Sequence, residues 1–292
     1  MSQTRFNSGL AARRAADVRM SPPQRRTSNR ALREDLELKL AALQKDYADL
    51  HTEIFEAAQV HRRLCAPRLV RCGDFEIASE IFAVRHLAGD FFTVKETNSG
   101  VLLALGDICG KGLAAGMWTT HLVGLVGARA MTSSAPESIV AGVNRDVCLL
   151  SSVVPLASLF VAKLDPSTGV LDYCSAGHPP ALLLRASGKL ELLSDGGLLL
   201  GVVAAAPYIK GRVALGPGDV LLAYSDGVLE SVNNANEEFG HARIEAQLRS
   251  AKNNSADALL FSVLGAVQDF AATCPLVDDM SLVIVRRNPQ IH

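Results

Sequence analysis

Four aspartates, Asp90, Asp107, Asp226 and Asp278, occupy matching places in the chain: each stands where an apolar run meets turn residues, and three touch a glycine (Gly89-Asp90, Gly106-Asp107, Asp226-Gly227). They are 17, 119 and 52 residues apart, so only folding could gather them. A carboxylate at the end of a buried strand needs a partner, because an unpaired charge there is costly. Four gathered carboxylates would repel one another unless multivalent cations neutralised them. An all-oxygen set suits Mg²⁺ or Mn²⁺ rather than zinc, and two divalent ions balance four carboxylates. Such a pair could clamp the attacking and leaving oxygens of a phosphoryl hydrolysis. Taken singly, an Asp-Gly at a strand end is an ordinary turn, so spacing alone leaves both readings open.

The elements that must position these residues centre on Val101–Ala115, VLLALGDICGKGLAA. Its apolar run reads as a buried strand ending at Gly106-Asp107. Gly110 and Gly112 then let backbone approach closely before a small-residue helix, Leu113–Met131. Ahead of it, Asp74–Leu87 partly alternates like a long strand, and Pro136 opens a further helix through Leu150. A β-rich half follows, with hairpin-like pairs at Leu156–Leu164 with Val170–Ser175, Ala181–Arg185 with Lys189–Leu193, and Tyr208–Leu215 with Val220–Tyr224. Helices are expected near 241–251 and 255–273, and the chain closes on Asp278-Asp279 and the strand Met280–Arg286. Strand runs separated by helix runs argue for an α+β fold, two antiparallel sheets with helices outside.

Farther towards the N-terminus, Leu36, Leu40, Leu43, Tyr47, Leu50, Ile54 and Ala57 recur at alternating spacings of four and three. This heptad seam, free of Gly and Pro, predicts a helix over 31–64, extending to about 66, which either packs on its own domain or forms a homodimer through 31–64, the strict repeat favouring the second. Residues 1–30 hold seven arginines and one acid, Asp17, with little apolar periodicity, which predicts a disordered basic tail.

Of the 292 residues 49 % are hydrophobic and the net charge is −1, so no global field points to nucleic acid or to a membrane surface. Six scattered cysteines form no C-x-x-C pair, which argues against a zinc knuckle. With no signal-peptide pattern and no apolar run of membrane-spanning length, a cytoplasmic setting is the expectation.

The segments AGDFF (88–92), GDICGKGLAA (106–115), SAGHPPALLL (175–184), GLLLGV (197–202), LGPGDVLLAYSDGVLES (215–231), EEFG (237–240) and DDMSLVIVRR (278–287) occur in the order seen in one family. Over roughly residues 58–287 the chain resembles the bacterial serine/threonine phosphatases of the sporulation stage II protein E and RsbU type, a branch of the metal-dependent type 2C phosphatases. The resemblance implies a β-sandwich of two antiparallel sheets flanked by helices, here a domain at 67–288, with two Mn²⁺ or Mg²⁺ ions between the sheets. It makes Asp107 the bridge between both ions, places Asp226 and Asp278 on one ion, and puts Asp90 with the Ile108 carbonyl on the other. Asp279 is then a supporting group, as are Gly89 and Gly227. A metal-bound hydroxide would attack phosphoserine or phosphothreonine without a covalent intermediate. The implied substrate is a phosphorylated protein such as an anti-sigma-factor antagonist; a non-catalytic partner-switch module is the alternative.

Departures from the family pattern are Ala88 for the first glycine, Thr93 where aspartate is frequent, and Cys109 and Lys111 in the turn. Lys111 reads either as a phosphate ligand or as a solvated loop lysine. Three other patterns are set aside. Cys65–Arg71 has the spacing of a cysteine-dependent phosphatase loop but no glycine and an internal proline. Gly110-x-Gly112 lacks the acidic residue a dinucleotide site needs downstream. His178 before Pro-Pro, and Ser225 beside Asp226, read as structural.

Overall fold

The computed structural model describes residues 22–64, 69–97, 100–150 and 156–289, with side chains from Arg30 onward except Ala31. The expected tail before residue 22 and Cys65 lie outside the described residues, as do two residues of the turn before Gly100. Two units are distinct, one up to Glu53 and one from Ile54 onward.

Helix α1, Pro22–Leu64, belongs to the first unit for most of its length. It starts ahead of the expected residue 31, so 22–30 are helical rather than part of a tail. Proline in a first helical turn costs little, since its missing N–H would be unpaired there anyway. Ion pairs one turn apart, Arg30–Glu34, Arg33–Glu37 and Asp35–Lys39, line its surface. The heptad residues Leu36, Leu40, Leu43, Tyr47 and Leu50 are all more than half exposed.

The second unit is a sandwich of two six-stranded sheets with helices on both outer faces. In chain order it contains β1 (Leu69–Cys72), β2 (Phe75–Phe82), β3 (Phe91–Thr97), β4 (Gly100–Ile108), α2 (Leu113–Thr132), α3 (Pro136–Leu149), β5 (Ala157–Leu164), β6 (Val170–Ala176), β7 (Ala181–Leu184), β8 (Leu190–Leu193), β9 (Gly196–Gly197), β10 (Gly211–Ala214), β11 (Val220–Tyr224), α4 (Asp226–Leu229), α5 (Gly240–Ala251), α6 (Ala256–Ala271) and β12 (Met280–Arg287). One sheet runs β1-β2-β12-β11-β7-β8; the other runs β10-β6-β5-β4-β3, with β9 beside β6. All pairings are antiparallel except β6–β9. The α+β sandwich read from the sequence is the observed fold.

Layering explains why the central strands are apolar throughout. Side chains alternate faces along a strand, so a strand covered on both sides must be apolar at every position. Leu103 and Leu105 of β4 meet Phe160, Leu221, Ala223, Val283 and Val285 between the sheets. Leu102, Ala104 and Ile108 of the same strand face α2 and α3. Across the sandwich, Leu222, Tyr224, Leu282 and Ile284 pack outward under α5 and α6.

Two expectations need correction. The strand expected over 74–87 ends at Phe82, and 83–90 is irregular. The expected pair of Tyr208–Leu215 with Val220–Tyr224 does not form: β10 pairs with β6, and β11 pairs with β12 and β7 in the other sheet. The Gly216-Pro217-Gly218 turn carries the chain from one sheet to the other, which a turn signal alone does not distinguish from a hairpin. Among the described residues no helix is long and apolar enough to cross a membrane.

Candidate metal-dependent active site

Each of the four aspartates sits at a strand end on the same rim of the sandwich. Asp90 immediately precedes β3, Asp107 is the penultimate residue of β4, Asp226 follows β11 and opens α4, and Asp278 lies two residues before β12. Their mutual influence shows that folding brings them together. Burial and the neighbouring Asp107 push the Asp90 carboxyl well above the usual carboxylate range; the hydroxyls of Ser225 and Ser281 pull the other way. Asp90 is 2 % exposed, and its Oδ2 is buried without a hydrogen-bond partner. Burial and Asp226 push Asp107 up to about 6, with a smaller contribution from Asp278. Asp226 is likewise raised, by burial and then by Asp278.

The backbone around these residues is held by groups the sequence did not single out for that purpose. Asp279 Oδ1 accepts from the Val84 amide (2.7 Å) and Oδ2 from the Gly89 amide (2.7 Å), fixing the irregular 83–90 segment that delivers Asp90. Thr119, on the first turns of α2, donates to the Gly89 carbonyl (2.9 Å) from the other side. A Cβ at Gly89 would press on the carbonyls of Gly110 (3.1 Å) and Ile108 (3.3 Å), so glycine before Asp90 lets these backbones approach closely. A Cβ at Gly227 would overlap the Asp279 carbonyl, which accounts for glycine after Asp226. Gly110 (φ 129°) and Gly112 (φ 83°) turn the chain through conformations that side chains disfavour.

Lys111 is exposed on its loop and ion-paired there. Its Nζ is 2.8 Å from Asp278 Oδ2 and bonds the Val277 carbonyl (2.5 Å). Among the described residues no three His, Cys, Asp or Glu side chains are grouped closely enough to hold a metal ion as they stand.

Beside the acids opens a cleft of about 430 Å³, lined in part by Asp107, Cys109, Ser158, His178, Leu199 and Asp226. His178 is buried, with its Nδ1 2.7 Å from Ser158 Oγ. Burial holds its imidazole down to about 3, against a weaker opposing pull from the Tyr224 backbone, so the ring is neutral. Ser225 Oγ accepts from the Ser281 amide (3.0 Å). Both side chains are thus held by hydrogen bonds within the fold. The five described cysteines are free thiols.

Residues 97–288 match the family model of stage II sporulation protein E (SpoIIE). The chain belongs to the SpoIIE family. It is 23 % identical over 243 residues to the phosphoserine phosphatase RsbU of Bacillus subtilis, covering 82 % of this chain and 71 % of that protein. It is 23 % identical over 267 residues to protein IcfG of Synechocystis, covering 81 % of this chain but only 42 % of that protein. Among solved structures, the SiaA PP2C domain of Pseudomonas aeruginosa superposes with a TM-score of 0.72 at 17 % identity, over 84 % of this chain and 99 % of that one. RsbX in complex with magnesium superposes with a TM-score of 0.56 at 18 % identity, over 74 % and 97 % of the two chains. SpoIIE membership and the PP2C-type sandwich place the chain among phosphoprotein phosphatases.

Proposed function

We propose that this SpoIIE-family chain is a Mn²⁺- or Mg²⁺-dependent phosphatase that hydrolyses phosphoserine or phosphothreonine on a signalling protein. The observation that carries the reading is the partnerless, buried Oδ2 of Asp90 beside an Asp107 whose carboxyl is raised by burial and then by its acidic neighbours. Such a group of acids is stable only when protonated or when cations sit among them. An all-oxygen donor set fits hard divalent cations, so the residues fit the implied ions. Asp90, Asp107, Asp226 and Asp278, with the Ile108 carbonyl, are the residues that would hold the ions. When bound, such ions supply Lewis-acid activation of water and neutralise charge on the phosphoryl oxygens.

The chain's own residues do the rest. Asp279 and Thr119 hold the Gly89–Asp90 backbone so that the Asp90 carboxylate meets Asp107 at a fixed approach. The cleft by Ser158 and Leu199 admits a side chain carried on a protein surface, and neutral His178 braces its wall through Ser158. Lys111, once Asp278 turns to a cation, is free to face an incoming phosphate.

By likeness to RsbU, named as a phosphoserine phosphatase, the substrate is a phosphorylated regulatory domain of the anti-sigma-factor-antagonist kind. The exposed heptad stripe of α1 supports self-association with a second copy, since a 3.5-residue repeat matches an identical helix. Sedimentation as a monomer at micromolar concentration would contradict that part.

The activity test is hydrolysis of p-nitrophenyl phosphate and of a phosphoserine peptide by the full chain with and without Mn²⁺. Metal-dependent turnover that falls by about 10³-fold in Asp107→Asn is expected. A wild type silent with every divalent ion would favour a non-catalytic partner-switch module.

A further inference from the structure

A second cavity lies away from the acidic cleft, between the last turns of α1 and the outer part of β2. Its volume is about 680 Å³, within the range of small-molecule sites and far larger than a single buried water requires. Phe55, Phe82 and Phe92 supply apolar wall, while Arg62, Arg85 and His86 stand among its lining with one acid, Glu80.

Two further lining groups point to a ligand. His61 is 8 % exposed and Ser79 1 % exposed, and both His61 Nε2 and Ser79 Oγ are buried with no hydrogen-bond partner. Buried polar atoms are normally paired, and leaving one unpaired costs about 1–3 kcal/mol. Nine buried side-chain polar atoms lack a partner among the described residues, and two of them share the wall of this one cavity, where a polar atom of a ligand could pair with both. Burial lowers the His61 pKa, with the charge of Asp279 acting the other way. Positive charge is carried by two exposed lining residues, Arg62 and Arg85, and the Arg85 guanidinium also reaches Gly112 in the turn that follows Asp107.

We propose that this cavity binds a small organic anion with a flat apolar body, an acidic group held at the arginine-bearing mouth, and a hydroxyl reaching Ser79 and His61. A hydroxyl both donates and accepts, which suits a serine hydroxyl and an imidazole nitrogen together. Aromatic walls at Phe55, Phe82 and Phe92 suit a planar body. The same wall includes Ala83, Arg85, His86 and Ala88 of the segment that Asp279 fastens at Val84 and Gly89. An occupant therefore packs against the stretch of chain leading to Asp90. This inference stands on the cavity alone and is independent of the metal reading.

The test is fluorescence titration of the full chain with 6-hydroxy-2-naphthoate, which carries a carboxylate and a hydroxyl at opposite ends of a naphthalene. Saturable binding of one molecule per chain is expected. Ala58→Trp, which fills the mouth from the helix side, should weaken it by about tenfold or more with an unchanged circular dichroism spectrum. Arg85→Gln, on the exposed rim, should weaken the acid by about tenfold while leaving 2-naphthol unaffected. 2-Naphthoate, lacking the hydroxyl, should bind less tightly than the parent probe in wild type but equally in Ser79→Val. The absence of saturable binding up to millimolar probe overturns the proposal. So does undiminished binding by Ala58→Trp, or by Arg85→Gln should the tryptophan variant fail to fold.

Discussion

The middle of the sandwich and its acidic rim are built from the same strands and obey opposite rules. In the middle, β4, β5, β11 and β12 meet through Leu103, Leu105, Phe160, Leu221 and Val285, all apolar and buried. A few residues farther along, β4, β11 and β12 end in or beside Asp107, Asp226 and Asp278, whose carboxyls oppose one another. The middle lowers free energy wherever contacts form; the rim raises it, and is tolerated because the middle holds the strand ends in place. Stability is therefore concentrated in one region and chemistry in the other, and mutations should separate the two.

The largest effect belongs to the middle. Phe160→Ala removes a side chain 2 % exposed and should cost about 3–5 kcal/mol in urea unfolding, while the fraction that stays folded keeps its turnover rate. A loss of turnover without a loss of stability would blur the division between the two regions.

His178 lies at the seam. Its folded pKa of about 3 is below the ordinary imidazole value of 6.5, so the unfolded chain takes up a proton that the folded chain refuses. Its contribution is complete above pH 6.5 and is lost as pH falls towards 3, with a slope of about 1.4 kcal/mol per pH unit. By pH 5, His178→Gln should have lost about 2 kcal/mol less than wild type relative to pH 7. Parallel stability curves for the two proteins would place this ring outside the buried framework.

Smaller effects come from groups that act on the rim through others. Asp279→Asn leaves one oxygen to accept and should weaken Mn²⁺ binding by about 10–100-fold, with faster hydrogen exchange at the Val84 and Gly89 amides. Smallest is Lys111→Met. Removing the ammonium from half-exposed Asp278 should tighten Mn²⁺ by about 2–5-fold in calorimetry, and weaker binding would show that Lys111 assists the cation instead of competing with it.

The fold was largely legible because its signals are local. The apolar run of β4, the Asp165–Gly169 turn between β5 and β6, and Pro136 at the start of α3 each announce themselves within ten residues. The positions of Asp90, Asp107, Asp226 and Asp278 were legible for the same reason: each follows from one strand end and one turn. What could not be read was pairing across the molecule. Gly216–Gly218 looks like a hairpin turn, yet it joins different sheets, because strand partners are chosen by packing and not by the turn between them. The alternation in 74–87 similarly concealed the break after Phe82, where Asp279, nearly two hundred residues later in the chain, takes over the backbone amides. Lys111 was read as a phosphate ligand or a solvated side chain, since nothing near it in sequence announces Asp278. Thr119 gave no signal at all: a threonine inside a small-residue helix becomes a clamp only once Gly89 is beside it.

The central claim is that the converging acids are a cation site. Isothermal calorimetry of Mn²⁺ into the metal-free full chain tests it most directly. Saturable binding of two ions per chain, with at least one lost in Asp107→Asn, is the predicted result. A wild type that takes up no ion, or an Asp107→Asn variant that binds both as tightly as wild type, would contradict it.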